Sequence, residues 1–218
     1  MVLTKTCGAP PLDVRKVLRY AGCKDGDDAL RALAQDCYAE AGRVLSYKVC
    51  YLPLSVRIDG DFCDLGVCGV RSSGLAKNLA GCDRAILFAA TVGIGLDRLI
   101  ARFGARSPAR AVMLDALGVE RIEALCDAFC EEIAQAEGGF ARPRFSPGYG
   151  DLDLSFQTEI FALLDCQKRI GLSMTDSLMM SPSKSVTAIM GLSDGGCADG
   201  ARKCEVCENR ECSFRSDV

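Results

Sequence analysis

The 218-residue chain has no histidine. That removes the commonest general base and the commonest nitrogen ligand for metals, so any chemistry must proceed without an imidazole. Tryptophan is also absent, and aromatics make up 6% of the residues against 49% for all apolar types. The core must therefore be mainly aliphatic, and the length is enough to build a sizeable one. Neither sign of charge is in large excess, the formal net charge being −3. This gives no electrostatic case for nucleic acid, which favours a basic patch. Residues 1–16 hold two prolines and no apolar stretch of the kind that opens a secretory or transit segment. The longest strongly apolar run, Ala85 to Ala90, is far too short to span a bilayer. The expectation is a cytoplasmic protein with no membrane and no nucleic-acid partner.

What the chain has in plenty is cysteine, 14 residues of it. Without an export signal these thiols are expected to be reduced, serving as small core residues or metal ligands.

Apolar spacing and turn residues predict a mixed order of elements. Helices are expected over Asp13–Tyr20, Asp25–Leu45 (capped by Asp27 or Asp28), from Ser72 or Ser73 to Leu79, and over Leu96–Phe103. Ser107-Pro108 opens a long helix over 109–136, with a break expected near Gly118, and Asp153 or Ser155 caps one running to Arg169. Strands are expected over Ser46–Ile58, Phe62–Val67, Arg84–Thr91 and Ser185–Gly191, with extended chain over Phe140–Phe145. Pro53 marks an edge or a bulge. The continuous apolar character of Arg84–Thr91 predicts a strand covered on both faces. The fold class is α+β: one domain over residues 1–193, with a twisted, largely antiparallel sheet flanked by helices, then a Gly-rich linker and a short cysteine-rich tail over 194–218.

Three stretches stand out as candidate sites. The first runs from Arg142 to Asp151 and reads Arg-Pro-Arg-Phe-Ser-Pro-Gly-Tyr-Gly-Asp. Arg144 is suited to a bidentate pair with a ligand carboxylate. Gly148 permits close backbone approach, and Tyr149 offers a flat apolar face with a polar tip. The plain alternative is a proline-rich connector. The second is Gly93-Ile94-Gly95, which can cradle a phosphate at a helix N-terminus. It lacks the third glycine of a dinucleotide fingerprint, and a tight turn is the preferred reading. The third is the tail, where Cys197, Cys204, Cys207 and Cys212 are spaced C-x6-C-x2-C-x4-C. Such thiolates can converge on one metal, and an all-sulfur set suits an iron–sulfur cluster or zinc. A redox pair or free thiols are the alternatives. Two further features read as structural: Glu123 and Asp127 as a solvated helix face, and Lys184 as an exposed turn lysine.

Arg144-Phe-Ser-Pro-Gly-Tyr149, the helix ending at Gly171, and Leu172-Ser-Met-Thr-Asp-Ser-Leu-Met-Met-Ser-Pro-Ser-Lys-Ser-Val186 together resemble the activation domain of cobalamin-dependent methionine synthase. The resemblance covers 140–191 most closely and is absent for the tail. It implies binding of S-adenosylmethionine, with Arg144, Ser146, Gly148 and Tyr149 lining the site and Glu123 contacting the ligand from the long helix. It further implies reactivation: one electron plus the sulfonium methyl returns cob(II)alamin to methylcobalamin. The cobalamin would be carried by a partner, the cobalamin-binding domain of a methionine synthase or a related corrinoid protein. The electron would come from a reductant such as flavodoxin or ferredoxin. Such methyl transfer needs no general base, which suits a chain without histidine. Two departures stand out. Gly150-Asp-Leu-Asp-Leu-Ser155 replaces the family's Cys-Pro-acid-His run, and the aromatic pair expected near Ile189-Met190 is missing. A corrinoid docking module without the methyl donor, or an iron–sulfur redox protein acting through the tail, are the rival readings.

The tail makes a direct prediction. After anaerobic purification the protein should carry iron with acid-labile sulfide, or zinc, near stoichiometry. Absence of all three removes both metal readings.

Overall fold

The computed structural model describes residues 1–23 and 27–193. The proposed linker and tail, and with them Cys197, Cys204, Cys207 and Cys212, lie outside the described residues.

The centre is β6 (Arg84–Thr91), whose residues from Ala85 onward are all buried. It lies between β2 (Lys48–Ser55) and β10 (Ser185–Ser193), antiparallel to both. With β1 (Leu3–Thr6) and β7 (Phe140–Ala141) at the edges, the sheet order is β1-β2-β6-β10-β7, and every pairing is antiparallel. Successive β6 side chains point to opposite faces. Ile86, Phe88 and Ala90 enter one core. Ala85, Leu87 and Ala89 enter the other. This is why the run is continuously apolar rather than alternating: both faces are covered.

The first face is covered by α1 (Val14–Tyr20), α2 (Asp28–Ala41), α4 (Ile94–Gly104) and α5 (Pro108–Ala136). The second is covered by α3 (Ser73–Asn78), α6 (Phe156–Leu164) and α7 (Cys166–Ile170). A small sheet of β3 (Arg57–Asp59), β4 (Phe62–Asp64) and β5 (Gly69–Arg71) and a hairpin of β8 (Ser173–Met174) and β9 (Met180–Ser181) complete the domain. The helix starts follow the expected chemistry. Asp13 accepts from the amides of Arg15 and Lys16, and Asp27 from those of Ala29 and Leu30. Among the described residues no helix is long and apolar enough to cross a membrane.

Some boundaries differ from the sequence expectation. The long helix α5 runs unbroken through Gly118 over 29 residues. The glycine is there for space: a Cβ would come within 2.7 Å of Leu96 and 2.8 Å of the Lys184 stem. The helix expected to reach Arg169 is instead divided at Asp165, which adopts the left-handed conformation at φ 49°. α2 ends at Ala41, four residues short of Leu45. The strand expected over Phe62–Val67 stops at Asp64, and Gly69–Arg71 forms a third strand beside it. Pro53 lies opposite Ile86 on β6, past the end of β1, where β2 has become an edge.

One buried charge pair organises the helical layer. Arg121 and Glu120 on α5 are 0% and 2% exposed. Arg121 donates to Glu120, to the Pro10 carbonyl at 2.7 Å and to the Pro11 carbonyl at 2.7 Å. Glu120 also accepts from the Asp13 amide at 3.1 Å, and the guanidinium lies over the Tyr38 ring at 5.4 Å. Removing one partner would strand a buried charge. Arg121→Ala is therefore expected to destabilise the fold by about 3–5 kcal/mol, read as a shift in the urea midpoint. An unchanged midpoint would contradict this account.

Candidate ligand-binding site

The stretch from Arg142 to Leu152 begins as an extension of the sheet. The Arg142 amide donates to Gly191 O at 2.8 Å, and Phe145 exchanges both backbone bonds with Ile189. The chain then turns. The Tyr149 amide donates to Ser146 O at 3.1 Å, and the Gly148 amide to Leu152 O at 2.8 Å. Gly148 and Gly150 have φ of 88° and 56°, the left-handed values that glycine adopts without strain. Ser146, Gly148 and Tyr149 thus fall in one tight turn, with Tyr149 56% exposed.

Arg144 points to α5. Its Nη2 donates to Glu123 Oε2 at 2.8 Å and its Nη1 to Asp127. The expected pair Arg144 and Glu123 is therefore in direct contact. The expectation that Glu123 and Asp127 form a merely solvated face is corrected: both carboxylates hold the arginine. Burial opposes the charge on Arg144, but its surroundings, with Cys126, Asp127 and Glu123 the main contributors, raise its pKa above the ordinary value. Cys126 and Cys130 are also close to Arg144. Burial pushes both thiols up, Cys130 to about 11, although the guanidinium works the other way. Tyr20, at the end of α1, is raised first by burial and then by Glu123, which places its phenol near the same carboxylates.

Beyond Ser146 and Tyr149 lies a cleft of about 390 Å³. Its walls include Leu154, Met179, Val186 and Thr187. Leu154 and Met179 are 43% and 66% exposed, so the cleft presents apolar surface to solvent. Its far wall is the tip of the β8–β9 hairpin, where Leu178 adopts φ 63°. Buried Gln157 holds that tip by donating to Leu178 O at 3.0 Å, and it accepts from Thr187 Oγ1 at 3.2 Å.

Asp151 closes the candidate stretch, but its anchoring role escaped the sequence reading. It falls in the segment that departs from the family's pattern, yet it anchors the loop. Its carboxylate accepts from Ser72 Oγ at 2.6 Å, Ser73 N at 2.7 Å, Ser73 Oγ at 2.9 Å and Gly74 N at 3.0 Å. It thereby caps α3 from across the chain. The available signal was local: Ser72-Ser73-Gly74 is a helix start whose amides need an acceptor.

Gly93 has φ 88°, and a Cβ on Gly95 would come within 2.5 Å of the Val44 carbonyl oxygen, so this glycine pair serves a tight turn and close packing. Lys184 is not an exposed turn lysine. Its Nζ lies 2.7 Å from Asp115, with the side chain 14% exposed. Among the described residues no group of three or more acidic, cysteine or histidine side chains is placed to hold a metal.

A family model described as the vitamin B12 dependent methionine synthase, activation domain, matches residues 76–195. No curated protein matches the chain. Among solved structures, the crystal structure of the MetH reactivation domain bound to AdoHcy is similar with a TM-score of 0.62 and 18% identity, covering 88% of this chain and 78% of that one. At that identity the likeness concerns the fold.

The Asp151 cap predicts a pH dependence. Its hydrogen bonds hold the carboxyl well below the usual range. A carboxylate with a depressed folded pKa contributes stability above its unfolded value, about 3.9. That contribution is lost as the pH falls through the folded value. The melting temperature of the native protein should thus exceed that of Asp151→Asn at pH 7, and the gap should shrink below about pH 4. A gap independent of pH would contradict this role.

Proposed function

The chain belongs to the family of the vitamin B12 dependent methionine synthase activation domain, and from this we propose that it binds S-adenosylmethionine and supports reductive remethylation of a corrinoid held by a methyltransferase. The carrying observation is the cluster of Arg144, Glu123 and Asp127, which offers a guanidinium and two carboxylates at one point. An amino-acid end group needs that set. Its carboxylate replaces a protein carboxylate on Arg144, and its ammonium is taken by the carboxylate released. The adenosyl part then lies toward the cleft, against Tyr149, Leu154 and Met179. These apolar surfaces stand in for the aromatic pair that this chain lacks at Ile189 and Met190.

The corrinoid, when docked, supplies the cobalt nucleophile. Reduced by one electron from a reductant, it would form the bond to the methyl carbon as the methyl–sulfur bond breaks with its electron pair going to sulfur, leaving a neutral thioether. No proton moves, so no general base is required. The residues of this chain bind and orient: Arg144 fixes one end of the donor, and the carboxylates complement positive charge on ammonium and sulfonium. The partners under this reading are the cobalamin-binding domain of a methionine synthase or a related corrinoid protein, and a reductant, in the cytoplasm.

Calorimetry with S-adenosylmethionine tests the reading. The wild type should bind, and Arg144→Ala should bind about 10- to 100-fold more weakly, the loss of a charge-assisted pair worth roughly 1.5–3 kcal/mol. Arg144→Lys should be intermediate. A wild type that binds a cobalamin domain but no S-adenosylmethionine would leave the docking module instead.

A further inference from the structure

The stretch that carries Ser146, Gly148 and Tyr149 is tied at both ends to one helix. At its start, Arg142 Nη2 donates to Ala80 O at 3.0 Å and Asn78 Nδ2 donates to Pro143 O at 3.1 Å, both at the C-terminal end of α3. At its close, Asp151 accepts from Ser72 Oγ at 2.6 Å, Ser73 N at 2.7 Å and Gly74 N at 3.0 Å, all at the N-terminal end of α3. The helix itself is firmly seated. Leu75 and Leu79 are 0% exposed in the second core, and the Ser72 amide donates to Asp61 O at 2.9 Å. Among the described residues α3 adds none to the wall of the cleft. A cap alone needs only the Asp151 end, whereas the second tie brackets the loop.

Tyr149 lies between Gly148 and Gly150, both in the left-handed region. A Gly-Tyr-Gly unit has wide backbone freedom when nothing holds it, and ordering it on the arrival of a ligand weakens binding. Asp151 follows directly. It sits inside the turn closed by Leu152 N to Tyr149 O at 3.0 Å and by Gly148 N to Leu152 O at 2.8 Å. Fixing its carboxylate therefore fixes the turn that presents Tyr149. The Phe145 ring packs against the same place. A Cβ on Gly74 would lie 3.0 Å from the Asp151 carboxylate and 3.1 Å from that ring, and one on Gly150 would lie 3.6 Å from the ring. Arg144 has a different support, being held by Glu123 and Asp127 of α5. The two halves of the site thus stand on separate helices.

We propose that α3 is the template for this turn and that Asp151 is a positioning residue, setting Gly148 and Tyr149 against the adenosyl part of the methyl donor; this rests on the reading of function given above. Arg144 then governs the amino-acid end on its own support. Asp151 therefore acts on affinity through Tyr149 and independently of Arg144. The bonds from Ser72, Ser73 and Gly74 hold the carboxyl well below the usual carboxylate range, so the tie is intact at neutral pH. Asp151 lies in the segment that departs from the family's run, so the tie belongs to this chain and not to the shared motif.

The test is a double-variant cycle on the full chain, read as S-adenosylmethionine affinity. Asp151→Ala should weaken binding about tenfold, the scale of a misplaced binding group. In a Tyr149→Ala background the same change should cost less than about twofold, and in an Arg144→Lys background it should keep its full effect. Gly74→Ala retains the carboxylate but crowds Asp151 and Phe145, and should show the same pattern. Amide hydrogen exchange at Gly148 and Tyr149 should quicken in Asp151→Ala, while that of Phe88 in β6 stays at the native rate, which separates a loosened turn from a lost fold. Unchanged affinity in Asp151→Ala overturns the proposal, as does a tenfold loss that persists without Tyr149. If Asp151→Ala does not fold, Gly74→Ala and Ser73→Ala decide it by the same cycle. Failure of the wild type to bind S-adenosylmethionine would sink the methyl-donor reading and the ligand role of Asp151 with it, and the exchange rates would still decide whether α3 holds the turn.

Discussion

A guanidinium removed from water must have its donors satisfied, and Arg121 meets that demand with groups far apart in sequence. Its partners are the carbonyls of Pro10 and Pro11, the Glu120 carboxylate and the Tyr38 ring. The N-terminal segment, α2 and α5 are thereby held in one arrangement. The consequence reaches the site. Glu120, Glu123 and Asp127 follow one another along the same side of α5. Glu120 is covered by the N-terminal segment, and the same side opens one turn later where Arg144 crosses it. The rotation that Arg121 imposes on α5 therefore also aims the two carboxylates.

The sheet leaves little room for a ligand. Both faces are filled, so only edges and ends are open. β7 pairs with β10 through two residues alone, and the chain then leaves and touches β10 again at Phe145. The candidate turn follows at once. It is held on one side by the sheet and on the other by Asp151 and Asn78, the latter donating to Pro143 O at 3.1 Å. Gly74 fits between them, since a Cβ there would lie 3.0 Å from Asp151 and 3.1 Å from Phe145. The loop is rich in proline and glycine and yet fixed at both ends.

Much of this was legible in the sequence. Arg84–Thr91 is the central strand because a doubly covered strand has nowhere to place polar side chains. Asp13, Asp27, Ser72 and Ser107-Pro108 mark helix starts because orphan amides or a missing donor make those residues favourable there. Arg144 and Glu123 were legible together only through the family resemblance, since nothing local says that a loop arginine meets a helix 21 residues earlier. Gly118 misled, because a glycine kept for packing looks like a helix breaker until its neighbours are seen. The strand Gly69–Arg71, a local hairpin partner of β4, and the division at Asp165, a non-glycine residue in the left-handed conformation, were both missed.

The thiols near Arg144 have a consequence of their own. A cysteine is a good nucleophile only as thiolate. Cys126 and Cys130 stand beside a group that favours the anion, yet burial prevails and keeps both protonated at neutral pH. Two buried sulfurs beside Arg144 are in this way made chemically quiet. Under the proposed function, that quiet would keep the two thiols from competing for the sulfonium methyl.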